Sequence, residues 1–161
     1  MIRKQRLKTT KKLLIAIELL DRALQMYYEG NSYFASLHLA GAAEEILAAY
    51  VKKHGETSSF ESMRDFVVKL SKTDFIKSSI SDDIVEVSAK NIGKAMNRAK
   101  NATKHMDTTD DDFIEFDAKA EAKDLLNRAI NNYYQLMSFM DLEETRLLQR
   151  FNDEVGKGIT P

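Results

Sequence analysis

The residues best placed to do chemistry lie between positions 90 and 105, where one arginine and one histidine occur among several lysines. If this segment is helical, Arg98 and His105 lie within about 20° of each other on the helical wheel, outside its apolar stripe. Lys94 extends the same side, and Asn101 lies next to it. An imidazole exchanges protons near neutral pH, so this face suits acid–base chemistry. A solvated basic face would give the same pattern.

A second group of polar residues, Glu44 and Glu45, interrupts a predicted helix whose first half is apolar on nearly all sides. Glu45 shares one helical face with His38 and Gly41, which lie seven and four residues before it. A buried carboxylate would need a partner on a neighbouring element. The alternative is that the apolar half ends before Glu44, which leaves both glutamates partly exposed beside Lys52 and His38 satisfied in the core.

Several classes of site find no support in the sequence. None of the three histidines has an acidic residue three positions before it, so the Glu-x-x-His pairs of a di-iron bundle are not present. The chain has no cysteine, which excludes thiolate metal sites and cysteine catalysis. The glycines around Lys157 do not form a phosphate-binding loop. We therefore expect neither a metal nor a cofactor.

Periodic apolar residues predict the helices that must position these side chains. Gly30 and Gly55 are expected to end the first two helices, and the Ser58–Glu61 spacing predicts a capping box for the third. Asp117 is expected to cap the fifth helix. The predicted spans are about 10–29, 32–54, 58–70, 81–105 and 117–140, and residues 142–151 either continue the last helix or begin a new one.

Composition favours an all-α protein. The 161 residues include 43% hydrophobic residues and a single proline, Pro161, so little interrupts long helices. We expect one domain over 1–161, a four- to five-helix up-and-down bundle with a basic N-terminal arm (1–9), an acidic loop (107–116) and a flexible C-terminal tail (152–161). No apolar run reaches the ~20 residues that span a bilayer. We therefore expect a cytoplasmic protein with no membrane partner.

Three blocks of the sequence carry a family resemblance. YFASLHLAGAAEEIL (33–47), NRAKNATKHMD (97–107) and FIEFDAKAEA (113–122) resemble, in order and spacing, bacterial proteins of the HEPN superfamily. The resemblance implies an all-α bundle that forms a homodimer through helices carrying an Arg-x(4–6)-His motif. In active members that motif cleaves RNA without a metal, and many other members are inactive binding or dimerisation modules.

Carried onto this chain, the motif histidine is His105 and the arginine is Arg98, and we assign both as catalytic. Many members have Arg-Asn where this chain has Lys100 and Asn101, and lysine lacks the planar fork that binds a phosphate at two points. On a continuous helix Lys100 would point about 140° away from His105, which makes Arg98 the better candidate. The predicted substrate-binding residues are Asn101, Lys94, Lys100, Glu44 and Glu45.

Two hypotheses follow from the resemblance. In the first, two subunits join their Arg98 and His105 pairs in one cleft, where Arg98 holds the scissile phosphate and His105 is general acid or base. Asn101 would orient the phosphate, and Glu44 or Glu45 would fix Arg98. In the second, the same cleft binds a nucleotide, an RNA segment or a partner protein without chemistry. An antitoxin protein is a further candidate partner.

Overall fold

Every regular element that the structure describes is an α-helix. The computed structural model describes residues 9–72, 88–106 and 112–159. The helices in these ranges are α1 (Lys12–Glu29), α2 (Tyr33–Lys53), α3 (Ser59–Ser71), α4 (Ala89–Met96), α5 (Arg98–Ala102), α6 (Ala118–Met137) and α7 (Arg146–Gly156). The all-α prediction is confirmed. The described helices outnumber the four or five predicted because the predicted span 81–105 contains two helices and Arg146–Gly156 begins a helix of its own.

The core is built mainly by α1, α2 and α6. Gly30 ends α1 in the left-handed region (φ 79°), and its N–H donates to the Met26 carbonyl, which allows the chain to turn back immediately into α2. Inside this hairpin, the buried Ser36 hydroxyl donates to the Ala23 carbonyl at 2.8 Å. Small residues on α2 let α1 and α6 approach it closely. The fully buried side chains of this core include Leu20, Leu24, Leu37, Leu47, Leu126, Ile130, Tyr133 and Leu136.

The C-terminal helix α7 closes the open side of α1. Thr145 caps α7 by accepting from the Leu148 N–H, and Leu148 and Phe151 are buried. At the other end, the Tyr28 hydroxyl of α1 donates to Glu154 at 2.8 Å. Helix α7 runs to Gly156 and so includes residues 152–156 of the predicted C-terminal tail. Amphipathic packing, through Leu148 and Phe151, holds this stretch in the helix.

Helix α3 attaches to the outside of the core by its first turn. The predicted capping box is present: the Ser58 side chain accepts from the Glu61 N–H, and the Glu61 carboxylate accepts from the Ser58 backbone. The backbone N–H of the buried Ser59 donates to the Asn132 side chain of α6 at 2.8 Å. From there α3 packs along α4.

The predicted fourth helix is two short helices joined at Asn97, so the prediction of one helix ending at His105 is wrong. Its first part, near residue 81, lies outside the described residues. The break follows from a tertiary contact: Arg128 of α6 donates to the Met96 carbonyl at 3.3 Å and to the Asn97 side chain at 3.5 Å. A side chain bonded to a helix carbonyl interrupts the backbone ladder at that point. Helix α5 then ends at Ala102, three residues before His105.

The remaining regional predictions fall partly outside the described chain. Of the N-terminal arm, only residue 9 is described, and of the acidic loop only 112–116, which form no regular element. The Asp117 carboxylate accepts from the backbone N–H groups of residues 119 and 120, so its predicted cap is confirmed. None of the helices in the described ranges is long and apolar enough to cross a bilayer.

Candidate functional site

A cavity of about 430 Å³ lies between the N-terminal half of α2, the chain that follows α5, and the strip 112–114. We call it the two-histidine cavity, because His38 and His105 both line it. Its other lining residues are Phe34, Ala102, Thr103, Lys104, Met106, Asp112 and Ile114. The sequence predicts His105 as a site residue and leaves open whether His38 is a core histidine, and in the structure both imidazoles line this one cavity.

His38 is half-buried on α2, one turn after Phe34. Burial lowers the pKa of its imidazole, and the positive charge of Lys104 lowers it further. A hydrogen bond with the Thr103 backbone acts against that shift. At neutral pH His38 is therefore held in its uncharged form, in which one ring nitrogen can accept a proton.

His105 is exposed and lies beyond the end of α5. Thr103 forms the C-cap of that helix, and its hydroxyl donates to the Ala99 carbonyl at 3.0 Å. The position of His105 is therefore set by a non-helical turn. The helical-wheel alignment of Arg98 with His105 assumed a continuous helix and does not describe their relationship.

Arg98 lies at the start of α5 and is exposed. Its Nη2 donates to the Glu115 carbonyl at 3.5 Å. Glu115 directly follows Ile114, which lines the two-histidine cavity, so Arg98 contacts the chain next to the cavity without lining it. Lys94 and Asn101 are also exposed, as their predicted roles require.

Lys100 points in the opposite direction, into the bundle. Its side chain is 6% exposed, and its Nζ lies 2.6 Å from Oε1 of Glu45 on α2. The stem crosses Gly41, where a Cβ atom would lie only 2.7 Å from the Lys100 Cδ. His38, Gly41 and Glu45 thus lie on one face of α2, as predicted. Gly41 and Glu45 contact Lys100, and His38 lies beside Thr103 and Lys104. A substrate contact by Lys100 would require this ion pair to open.

Glu44 is buried, so the expectation that both glutamates would be partly exposed is wrong for this residue and right for Glu45. Burial raises the pKa of the Glu44 carboxyl, while the charges of Arg128 and Lys100 act to lower it. Glu44 and Glu45 face a second cavity of about 280 Å³, whose wall also contains Lys52, Ser58, Phe60, Asn97 and Lys100. Neither glutamate has a hydrogen bond or ion pair with Arg98 in the described residues.

Arg128 and Asn132 are buried polar residues of α6 that the sequence analysis missed. Besides its bonds to α4 and Asn97, the Arg128 guanidinium lies over the Phe60 ring, 5.5 Å from its centroid. Burial lowers the pKa of Arg128, and the charge of Glu44 raises it. The signal was present, since Leu125, Arg128 and Asn132 occupy one helical stripe at spacings of three and four residues. A polar residue in an apolar stripe indicates a buried partner.

The described residues contain no group of three or more histidine, aspartate or glutamate side chains arranged to hold a metal ion. Comparison of the chain with protein-family models, with curated proteins and with solved structures gives no match.

Proposed function

We propose that the protein is a metal-independent endoribonuclease that acts at the two-histidine cavity. One observation carries the proposal: two imidazoles and an adjacent ammonium group, from His38, His105 and Lys104, line the same open cavity. The HEPN-like sequence blocks support the same activity. Acid–base cleavage of RNA needs a base for the 2′-hydroxyl, an acid for the leaving oxygen and a cation near the phosphate.

Each of these roles has a candidate. The uncharged His38 accepts the proton of the 2′-hydroxyl as its oxygen attacks phosphorus. His105 donates a proton to the 5′-oxygen as the phosphorus–oxygen bond breaks, which leaves a 2′,3′-cyclic phosphate and a free 5′-hydroxyl. Lys104 stabilises the charge that develops on the phosphate. Arg98 and Asn101 bind the RNA backbone on the neighbouring surface.

We further propose that the active form is a homodimer. Arg98 and His105 are both exposed on the surface formed by α5 and the chain after it, so a second copy could cover and complete the open site. Two-fold contacts are the commonest oligomer interfaces. Sedimentation equilibrium tests this: a protein that is monomeric at tens of micromolar, a concentration at which a typical specific interface is formed, would contradict the dimer.

The activity is tested with three histidine variants of the purified protein, assayed on a panel of RNAs in the presence of a chelator. His105→Ala and His38→Ala should each lower the cleavage rate by about 10²- to 10⁴-fold, the usual contribution of a positioned acid or base. His54→Ala is the matched control, because His54 stacks on Phe139 and does not line the cavity. The wild type should release cyclic phosphate ends. Cleavage that persists unchanged in His105→Ala would identify a contaminating nuclease and refute the proposal.

A second function, binding of RNA or a nucleotide without chemistry, is favoured by one observation. Lys100 occupies the place where the resemblance expects a motif arginine, and it is buried against Glu45. If a free cation at that place is needed for cleavage, this chain lacks it. A wild type that binds RNA, cleaves nothing on the panel and matches His105→Ala in affinity would establish this reading.

A further inference from the structure

Phe34 stands at the wall of the two-histidine cavity with about half of its ring exposed. It is 49% exposed and lies one helical turn before His38 on the same face of α2. Its ring meets Phe116 edge to face, with centroids 6.0 Å apart and an angle of 67° between planes. Phe116 itself packs against the hydrophobic core. A partly buried aromatic residue, Phe116, thus contacts one edge of Phe34 and leaves part of the Phe34 ring open.

We propose that Phe34 is a stacking platform for an unpaired base, so that the substrate of the two-histidine cavity is single-stranded RNA. The inference rests on the proposed function, because it names the substrate of that site. An aromatic face binds any base by stacking, and it can do so only when the base is not already stacked within a duplex.

Charge and size agree with this assignment. Lys104 lines the same cavity and can pair with the phosphate attached to the stacked nucleotide. The cavity volume of about 430 Å³ falls within the range of pockets that hold small ligands. A base on Phe34 would place its ribose and phosphate beside the two imidazoles, where the cleavage step needs them. Phe34 therefore positions the nucleotide, and His38 and His105 carry out the proton transfers.

The test measures binding in the absence of cleavage, using His105→Ala as the background. A short, fluorescently labelled oligouridylate is titrated with this protein and with its Phe34→Ala and Phe34→Tyr derivatives. Phe34→Ala should weaken binding about 5- to 150-fold, the effect of losing one stacked base, and Phe34→Tyr should keep affinity within a few-fold. The control is Phe113→Ala: this ring is 91% exposed and does not line the cavity, so its loss should change little.

A second experiment compares binding of the single-stranded oligouridylate with binding of its duplex. The protein that retains Phe34 should bind the oligouridylate less tightly once it is annealed to its complement. The Phe34→Ala derivative should bind the single strand and the duplex with nearly equal affinity. Equal affinity of Phe34 and Phe34→Ala proteins, or tighter binding of the duplex, would overturn the stacking platform. The proposed nuclease would still stand in that case if the wild type cleaves RNA and His105→Ala does not. Failure to bind either nucleic acid, together with no RNA cleavage by the wild type, would overturn both proposals.

Discussion

The Nζ of Lys100 lies 2.6 Å from Oε1 of Glu45, and the two side chains differ sharply in exposure, with 6% for the lysine and 57% for the glutamate. The ammonium group therefore lies at the inner end of an ion pair whose carboxylate faces solvent. The hydrogen bond from Lys100 lowers the pKa of Glu45. This pair joins α5 to α2, the helix that carries Phe34 and His38 of the two-histidine cavity, and His105 of the same cavity lies in the chain that follows α5.

Removing Glu45 should destabilise the fold through the lysine that it leaves behind. We expect Glu45→Ala to lower the free energy of unfolding by about 1–3 kcal/mol, less than for a fully buried pair because Glu45 is largely solvated. Urea denaturation measures the change. In a Lys100→Met background, which keeps the length of the stem without its charge, Glu45→Ala should cost little. An equal cost in both backgrounds would show that the ion pair does not carry the effect.

Gly41→Ala should disturb the same contact from the opposite side. The new methyl group would lie 2.7 Å from the Lys100 Cδ, and the lysine cannot move freely because its head is bonded to Glu45. We expect a loss of about 1–3 kcal/mol of unfolding free energy. Gly93→Ala on α4 is the control: its nearest neighbour is the tip of Phe60 at 3.4 Å, and alanine favours the helix. If Gly41→Ala is as stable as Gly93→Ala, Lys100 does not pack against Gly41 as described.

Loss of Arg128 should have a large effect on stability, because Glu44 would remain buried without the cation whose charge lowers its pKa most. We expect Arg128→Met to lower the free energy of unfolding by about 3–5 kcal/mol, and the melting temperature by roughly 2–4 °C for each of these kcal/mol. Calorimetry provides the measurement. Adding Glu44→Gln should recover part of the loss, since the amide carries no charge. A double variant that is less stable than Arg128→Met would contradict the charge explanation.

His38 should make stability depend on pH in a predictable direction. Burial and Lys104 hold its pKa below the value of 6.5 that applies when the chain is unfolded. As the pH falls, the imidazole is protonated in the unfolded chain before it is protonated in the folded protein. The free energy of unfolding therefore decreases as the pH falls from about 7 towards the lower pKa of the folded state. His38→Gln should reduce that loss. Urea denaturation at closely spaced pH values checks it, and an unchanged slope in His38→Gln would show that another group titrates.

Much of the helix arrangement could be predicted from sequence because the relevant interactions are local. The ends at Gly30, at the Ser58 capping box and at Asp117 each depend on residues within one turn. The break at Asn97 could not be predicted in this way. It depends on Arg128, which lies 31 positions along the chain and donates to Asn97 and to the carbonyl before it.

The difference between local and long-range interactions also explains which features of the candidate site could be predicted from the sequence. His105 is exposed, as its predicted position outside the apolar stripe requires, although it lies beyond the end of α5. His38 is not predicted as a site residue, because its helix is apolar around it and only the chain after α5 gives it polar neighbours. Lys100 is predicted as a substrate-binding residue, but whether a lysine is buried depends on the carboxylate that it meets. That carboxylate, Glu45, lies 55 positions earlier in the chain.

The peripheral position of α4 and α5 has a consequence for how the protein opens. Helix α4 contributes no buried side chain, and α5 contributes only Ala99 and Lys100, whereas α1, α2 and α6 hold most of the core. Amide hydrogens of α4 and α5 should thus exchange with deuterium through local opening, well before those of α2 and α6, which need global unfolding. The helix that leads to His105 can then detach and rejoin while the rest of the fold stays intact, so the proposed RNA substrate could enter and leave the cavity without unfolding the core.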